Sequence, residues 1–248
     1  MKKLSLWLIV TLLSCNSPKL GEDILNFEKL DISFGIEDFY SKEFEKSEIF
    51  ELQKDEILSG KKEEEFGDKL MKFWDFHTIK IDSVYRETWS YSDPGRLIGI
   101  QYNMMGWSSG DSLAHYHNMY FEKIDMMNSA NGEFMALVAK NESKNRDDFD
   151  SLLNYLKQKE GEPTVVKNDF FGVYYNYSWN LNDRYISITS KLNNKKNTLK
   201  IDFEINEDSI VMDTIKKPSI DTRLFIINKK YKDSIIGKLH SGDWLFLK

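Results

Sequence analysis

Two stretches of this 248-residue chain hold residues whose types and spacing could do chemistry. The first is Gly106-Trp107-Ser108-Ser109-Gly110, which runs on into Gly110-Asp111-Ser112-Leu113. Gly-x-Ser-x-Gly is the pattern of a nucleophile elbow, a serine on a sharp turn after a strand, with glycines that let the backbone bend without a Cβ clash. A serine hydroxyl becomes a nucleophile only with a base beside it, and His115, His117 and His240 are the imidazoles that could serve. His115 and His117 also stand two apart. On one face of a strand they would lie about 7 Å from each other, a spacing some metal sites use. The second stretch is the N-terminus, where Cys15, the sole cysteine, follows a short apolar run.

Gly110-Asp111-Ser112-Leu113 resembles the Gly-Asp-Ser-Leu block of the SGNH esterases. The resemblance implies a serine esterase using Ser108 or Ser112 with His115, His117 or His240. The companion blocks of that family are missing. Gly237 stands where an Asp should precede His240, and Asn182-Asp183 has Asn180 at the expected glycine position. The family's block also opens the mature domain, whereas here it is mid-chain. Patterns this short arise by chance from ordinary residue frequencies. A glycine- and serine-rich loop between two strands is therefore the favoured reading. A metal at His115 and His117 would need a third ligand from His77, His240 or a carboxylate, and the sequence supplies none at a telling spacing. No cofactor is implied. What separates these readings is the stretch 112–127: a helix there would complete strand, elbow and helix. Its tyrosines and phenylalanines, set among strands, favour a strand.

The N-terminus is more specific. Lys2 and Lys3 open a charged start, Leu4 to Leu13 are mostly apolar, and Ser14 precedes Cys15. Ten helical residues rise only about 15 Å, half of a bilayer core, so this run is too short to span. Leu12-Leu13-Ser14-Cys15 resembles the lipobox of bacterial lipoproteins. That resemblance implies cleavage before Cys15, a diacylglyceryl thioether on its sulfur and an N-acyl chain such as palmitate. Two or three chains make an effectively permanent anchor. Acylation also removes the liability of a free thiol in an exported domain. Asn16 is not the Asp that retains enterobacterial lipoproteins at the inner membrane, so the outer membrane is the expected location.

Those anchors and side chains must be positioned by a domain. Hydrophobic residues at 41% and aromatics at 14% suffice for a core, and the charge of −6 falls to about −8 once Lys2 and Lys3 are removed. No basic stripe of the kind nucleic acid requires is present. Residues 15–35 are expected to be a lipidated tether and 36–248 a single domain. Two amphipathic helices are expected over Ile36 to Leu58 and Lys61 to Trp74. A period of two over 77–89 and 97–104, with Asp93-Pro94-Gly95 between, predicts a hairpin. Asn145, the stripe Phe149, Leu152, Leu153, Leu156, and Gly161 predict a helix over 146–160. A meander follows through Val173 to Trp179, Tyr185 to Thr189 and Leu199 to Ile205. Its strict alternation predicts one buried and one wet face. The tail, with Leu224 to Ile227 and Trp244 to Leu247, is expected to hold small strands or an edge. Trp74, Trp89, Trp107, Trp179 and Trp244 fit either a sugar-binding surface or a core. The apolar stripes favour the core, and leave Trp107 as the one expected to meet a ligand.

The fold expected is α+β, a mainly antiparallel sheet of about six to eight strands with helices packed on one side. The function expected is that of an envelope lipoprotein, membrane-bound through Cys15. It would bind a protein or glycan partner and not nucleic acid. The serine esterase is the alternative.

Overall fold

The computed structural model describes residues 18–44, 78–85, 96–105, 112–169, 172–193, 199–200, 213–214, 219–239 and 241–247. The protein is α+β and mainly antiparallel sheet. Eight strands form one sheet: β2 (Thr78–Tyr85), β3 (Leu97–Met105), β6 (Lys123–Asn128), β7 (Phe134–Ser143), β13 (Ser219–Asn228), β10 (Arg184–Asn193), β9 (Tyr174–Asn180) and β8 (Thr164–Asn168), in that spatial order. Every neighbouring pair is antiparallel. A smaller sheet joins β1 (Leu25–Asn26) in parallel to β4 (Ala114–Tyr116), which pairs with β5 (Met119–Phe121). The short strands β11 (Leu199–Lys200) and β12 (Asp213–Thr214) pair separately.

One face of the large sheet is covered by helices, as the apolar periods require. α1 (Ile36–Phe39) and α2 (Asp147–Glu160) pack there. α2 begins where Asn145 Oδ1 accepts the Asp147 N–H (3.3 Å) and ends at Gly161, whose φ of 88° suits a residue without Cβ. Its stripe of Phe149, Leu152, Leu153 and Leu156 meets Ile186, Ile188, Leu224 and Ile226. Each such side chain withdrawn from water contributes about 1.5–3 kcal/mol. Trp179 joins this core and its Nε1 donates to the Gly161 carbonyl (2.8 Å).

The opposite, far face is covered by the end of the chain. α3 (Lys232–Ile235) and the 3₁₀ turn Gly242–Phe246 bring Ile235, Leu239, Trp244 and Leu247 onto Met127, Met135, Val138, Phe225 and Ile227. This changes two expectations. β13 is a central ten-residue strand between β7 and β10, not an edge. The polar alternants of the meander are not wet: Asn176, Ser178, Ser187 and Thr189 are all buried. Alternation distinguishes two faces, but a second covering layer buries both.

The expected tether is corrected as well. From residue 18 onward the segment belongs to the body: Leu20, Leu25, Phe27 and Leu30 are buried in the helix-side core. β1 pairs with β4, and a tether cannot form such a ladder. The expected helix over 36–58 is observed as α1 and a further helical turn at 41–44; its remainder, the expected helix over 61–74 and the turn at 93–95 lie outside the described residues. The predicted hairpin is β2 and β3.

Candidate functional site

The stretch 112–127 is strand, not helix. Leu113 extends the β4–β5 hairpin by donating its N–H to Phe121 O (2.9 Å), and its carbonyl accepts from Leu25 N (3.0 Å). The helix that an elbow needs is therefore not formed after Ser112. Ser112 is exposed, and among the described residues no hydrogen bond joins it to His115 or His117. Ser108, Trp107, His77, His240 and Cys15 lie outside the described residues.

The two close histidines do not share a strand face. Only His115 is on β4; His117 is the first corner of the two-residue turn to β5, at φ 52°. A tight hairpin demands positive φ there, and histidine tolerates it better than most side chains. The His117 ring lies flat on Tyr155, centroids 4.0 Å apart at 3°. His115 Nδ1 is 3.1 Å from the His117 carbonyl, so that nitrogen carries the proton and is not free to bind a metal. Among the described residues no three His, Cys, Asp or Glu side chains come together as a metal site.

Around that turn is a clamp. Glu28 accepts from the Tyr155 hydroxyl, from Lys159 Nζ (3.2 Å) and from the His117 N–H (3.2 Å). Burial alone would raise the Glu28 carboxyl, but the hydrogen bonds from Tyr155 and Lys159 outweigh it and hold it below its ordinary value. Burial pushes the Tyr116 phenol up to about 12. The clamp binds the N-terminal segment to the hairpin and to α2, which is structural work.

A different cluster lies on the far face, and it is drawn from four elements. β6 supplies Lys123 and Asp125, β7 Lys140, β13 Asp221 and Arg223, and the last 3₁₀ turn Asp243. Lys123 Nζ is 3.0 Å from Asp125 and 3.5 Å from Asp243. Lys140 is 3.7 Å from Asp221, and Arg223 Nη2 3.6 Å from the same carboxylate. Arg223 Nε donates to Asp243 at 2.7 Å, while its guanidinium lies 3.7 Å over the Phe246 ring. Three cations meet three carboxylates, so the cluster is close to neutral. Burial would lower Lys123, but Asp125 and Asp243 raise it. Burial raises Asp125, which Lys123 only partly offsets.

Asp125 has a second task. The β3–β6 register ends at Tyr102↔Met126, where the two strands part. Asp125 Oδ1 takes the Met104 N–H (2.7 Å) in place of a ladder bond, and Tyr40 reaches from the helix side to satisfy the Ile124 carbonyl (2.9 Å).

In front of this parting is an open groove of about 580 Å³ over β2, β3 and β6, walled by Lys238, Leu239, Ser241 and Gly242. Its floor holds Lys80, Asp82, Gln101, Asn103, Lys123 and Asp125, with Tyr85 at one side. Asn103 Nδ2 donates to Asp82 (2.9 Å), and Lys80 pairs with Asp82 at 2.8 Å. Amides, ammoniums and carboxylates thus offer donors and acceptors side by side, in a groove that the half-exposed Tyr85 also lines. Sequence reasoning missed this site. Its legible signals were Lys123-x-Asp125 and Asp221-x-Arg223, opposite charges two apart on strands that carry no other charge.

Comparison with known proteins gives no match to a family model, to a curated protein or to a solved structure.

Proposed function

We propose that this protein is a lipoprotein of the bacterial cell envelope, anchored through Cys15, that binds a glycan in the far-face groove without transforming it. The anchor rests on the lipobox resemblance of Leu12-Leu13-Ser14-Cys15. The ligand reading rests on one observation: the groove gathers planar amides and carboxylates, Gln101, Asn103, Asp82 and Asp125, and is lined as well by the half-exposed Tyr85. Sugar hydroxyls both donate and accept, so a floor of alternating donors and acceptors suits them. The apolar face of a pyranose suits the ring of Tyr85. A phosphate or a nucleic acid would favour cations without the interleaved carboxylates.

The test has two parts. Radiolabelled palmitate fed to the producing cells is expected to label the protein and to fail with Cys15→Ser. Titration calorimetry with soluble peptidoglycan fragments is expected to show binding that Tyr85→Ala and Asn103→Ala each weaken by at least about tenfold, or about 1.4 kcal/mol. Binding unchanged in both variants would remove the groove from the account. A protein partner captured through the same residues would replace the glycan.

A further inference from the structure

We infer that the domain lies directly against the lipid surface by its helix side, with the groove turned toward water. This rests on the Cys15 anchor proposed above. The chain is already pinned at residue 20: Leu20 is buried in the helix-side core and its N–H donates to the Phe39 carbonyl at 2.9 Å. Five steps of chain separate Cys15 from Leu20. Fully extended, they reach about 17 Å, whereas the expected tether to residue 35 would have reached about 70 Å. The polar headgroup layer itself takes up about 5–8 Å on each side of the bilayer. What remains is about 10 Å, the thickness of one packed layer of protein. An acylated Cys15 therefore leaves the body no room to stand off.

The same contacts orient it. Leu20, Leu25, Phe27 and Phe39 all belong to the helix-side core. Tyr40, next to Phe39, stands behind the parting of β3 and β6 and bonds Ile124 O. Asn103 and Asp125, on those same two strands, face the groove on the other side. Leu20, five residues from the anchor in the chain, and the groove thus lie on opposite sides of the sheet.

The surface beside the anchor carries Ile24, half-exposed, among Lys19, Glu22, Asp23 and Lys42, and Lys42 is paired to Glu22. Two basic and two acidic side chains give no net attraction to anionic lipid, unlike a polybasic patch. The contact is made by acyl chains and apolar surface, and it does not depend on salt.

Cys15 is the only cysteine, so once acylated it leaves any introduced thiol unique. The experiment uses lipidated full-length mature protein carrying Ile24→Cys, Asp23→Cys or Lys238→Cys, each labelled with a fluorophore. All three positions are exposed. The proteins are reconstituted into phosphatidylcholine vesicles containing a nitroxide-headgroup lipid. The labels at 23 and 24 are expected to lose fluorescence strongly, the label at 238 little, and neither result is expected to change with salt. Equal quenching at all three positions, stronger quenching at 238, or none anywhere would overturn the orientation. Mass spectrometry of the N-terminal peptide separates the two ideas. An unacylated Cys15 defeats the anchor itself, whereas an acylated Cys15 with the wrong quenching pattern defeats only the inference drawn here.

Discussion

Arg223 Nε stands 2.7 Å from Asp243 Oδ1, joining the centre of the sheet to the last turn of the chain. Both side chains are nearly buried, at 5% and 13% exposure. The pair fastens the C-terminal segment over the far face, and that segment forms one wall of the groove. Removing one partner leaves the other with its longer contact alone, Arg223 to Asp221 at 3.6 Å or Asp243 to Lys123 at 3.5 Å. Arg223→Ala and Asp243→Ala are each expected to cost about 1–3 kcal/mol, the worth of a lost charged hydrogen bond. Urea denaturation of both singles and the double variant checks this. The double is expected to lose less than the sum, and simple additivity would refute the pair's coupling.

Asp243 and Asp125 carry opposite pH dependences. Burial would raise Asp243, but Arg223 and Lys123 outweigh it and hold the carboxyl below its ordinary 3.8. A depressed carboxylate contributes stability above its unfolded pKa and loses it as pH falls through the folded one. Asp125 is raised above 3.8 by burial, so its charged form costs stability that returns when it takes up a proton. Acidification from neutral pH is expected to relieve Asp125 first, above 3.8, and to remove the Asp243 contribution only below it. Urea midpoints across that range check the order, and Asp125→Asn is expected to abolish the first phase alone.

Phe27 is fully buried, although it lies in the segment that composition reads as a tether. Phe27→Ala is expected to destabilise the protein by about 3–5 kcal/mol. A thermal melt unchanged by the substitution would show that the segment does not belong to the folded body.

Gly99 sits where β3 presses on the bulge at the end of β6. A Cβ there would stand 2.2 Å from the Asn128 carbonyl oxygen, which is backbone and cannot swing aside. Gly99→Ala is expected to cost about 1–3 kcal/mol or more through overpacking. Equilibrium denaturation measures it, with Gly132→Ala at an open turn as the comparison that isolates φ strain from crowding.

His117 combines a strained backbone with a stacked ring. His117→Ala loses the Tyr155 contact and keeps the positive φ, whereas His117→Gly loses the contact but relieves the strain. Glycine is therefore expected to be the more stable replacement by about 1 kcal/mol. The reverse order in denaturant midpoints would mean that the turn changes shape in the variants.

Much of the local structure was legible in the residues. Asn145, the Phe149 to Leu156 stripe and Gly161 marked α2 to within a residue, because caps and 3.6-residue periods are properties of the segment itself. The β2–β3 hairpin was legible for the same reason. Less could be read where burial comes from elsewhere. Ser187 and Thr189 alternate with Ile186 and Ile188 and so looked wet, yet they are fully buried. The serine and histidine patch promised proximity in sequence, but the hairpin turned His117 off the strand face that would have set it beside His115.

By itself the sequence determined the α+β class and the segments that pair or coil, and it carries the resemblance of Leu12-Leu13-Ser14-Cys15 on which the proposed anchor rests. These depend on short-range spacing, which the chain carries wherever it folds. The tertiary structure decided that β13 runs through the middle of the sheet. It drew Leu20, Leu25, Phe27 and Leu30 into the core, and it gathered Lys123, Asp125, Lys140, Asp221, Arg223 and Asp243 into one cluster. Those residues come from strands far apart in the chain and from its last turn. No local period records such a meeting, because the covering layer that buries a face is supplied by another segment.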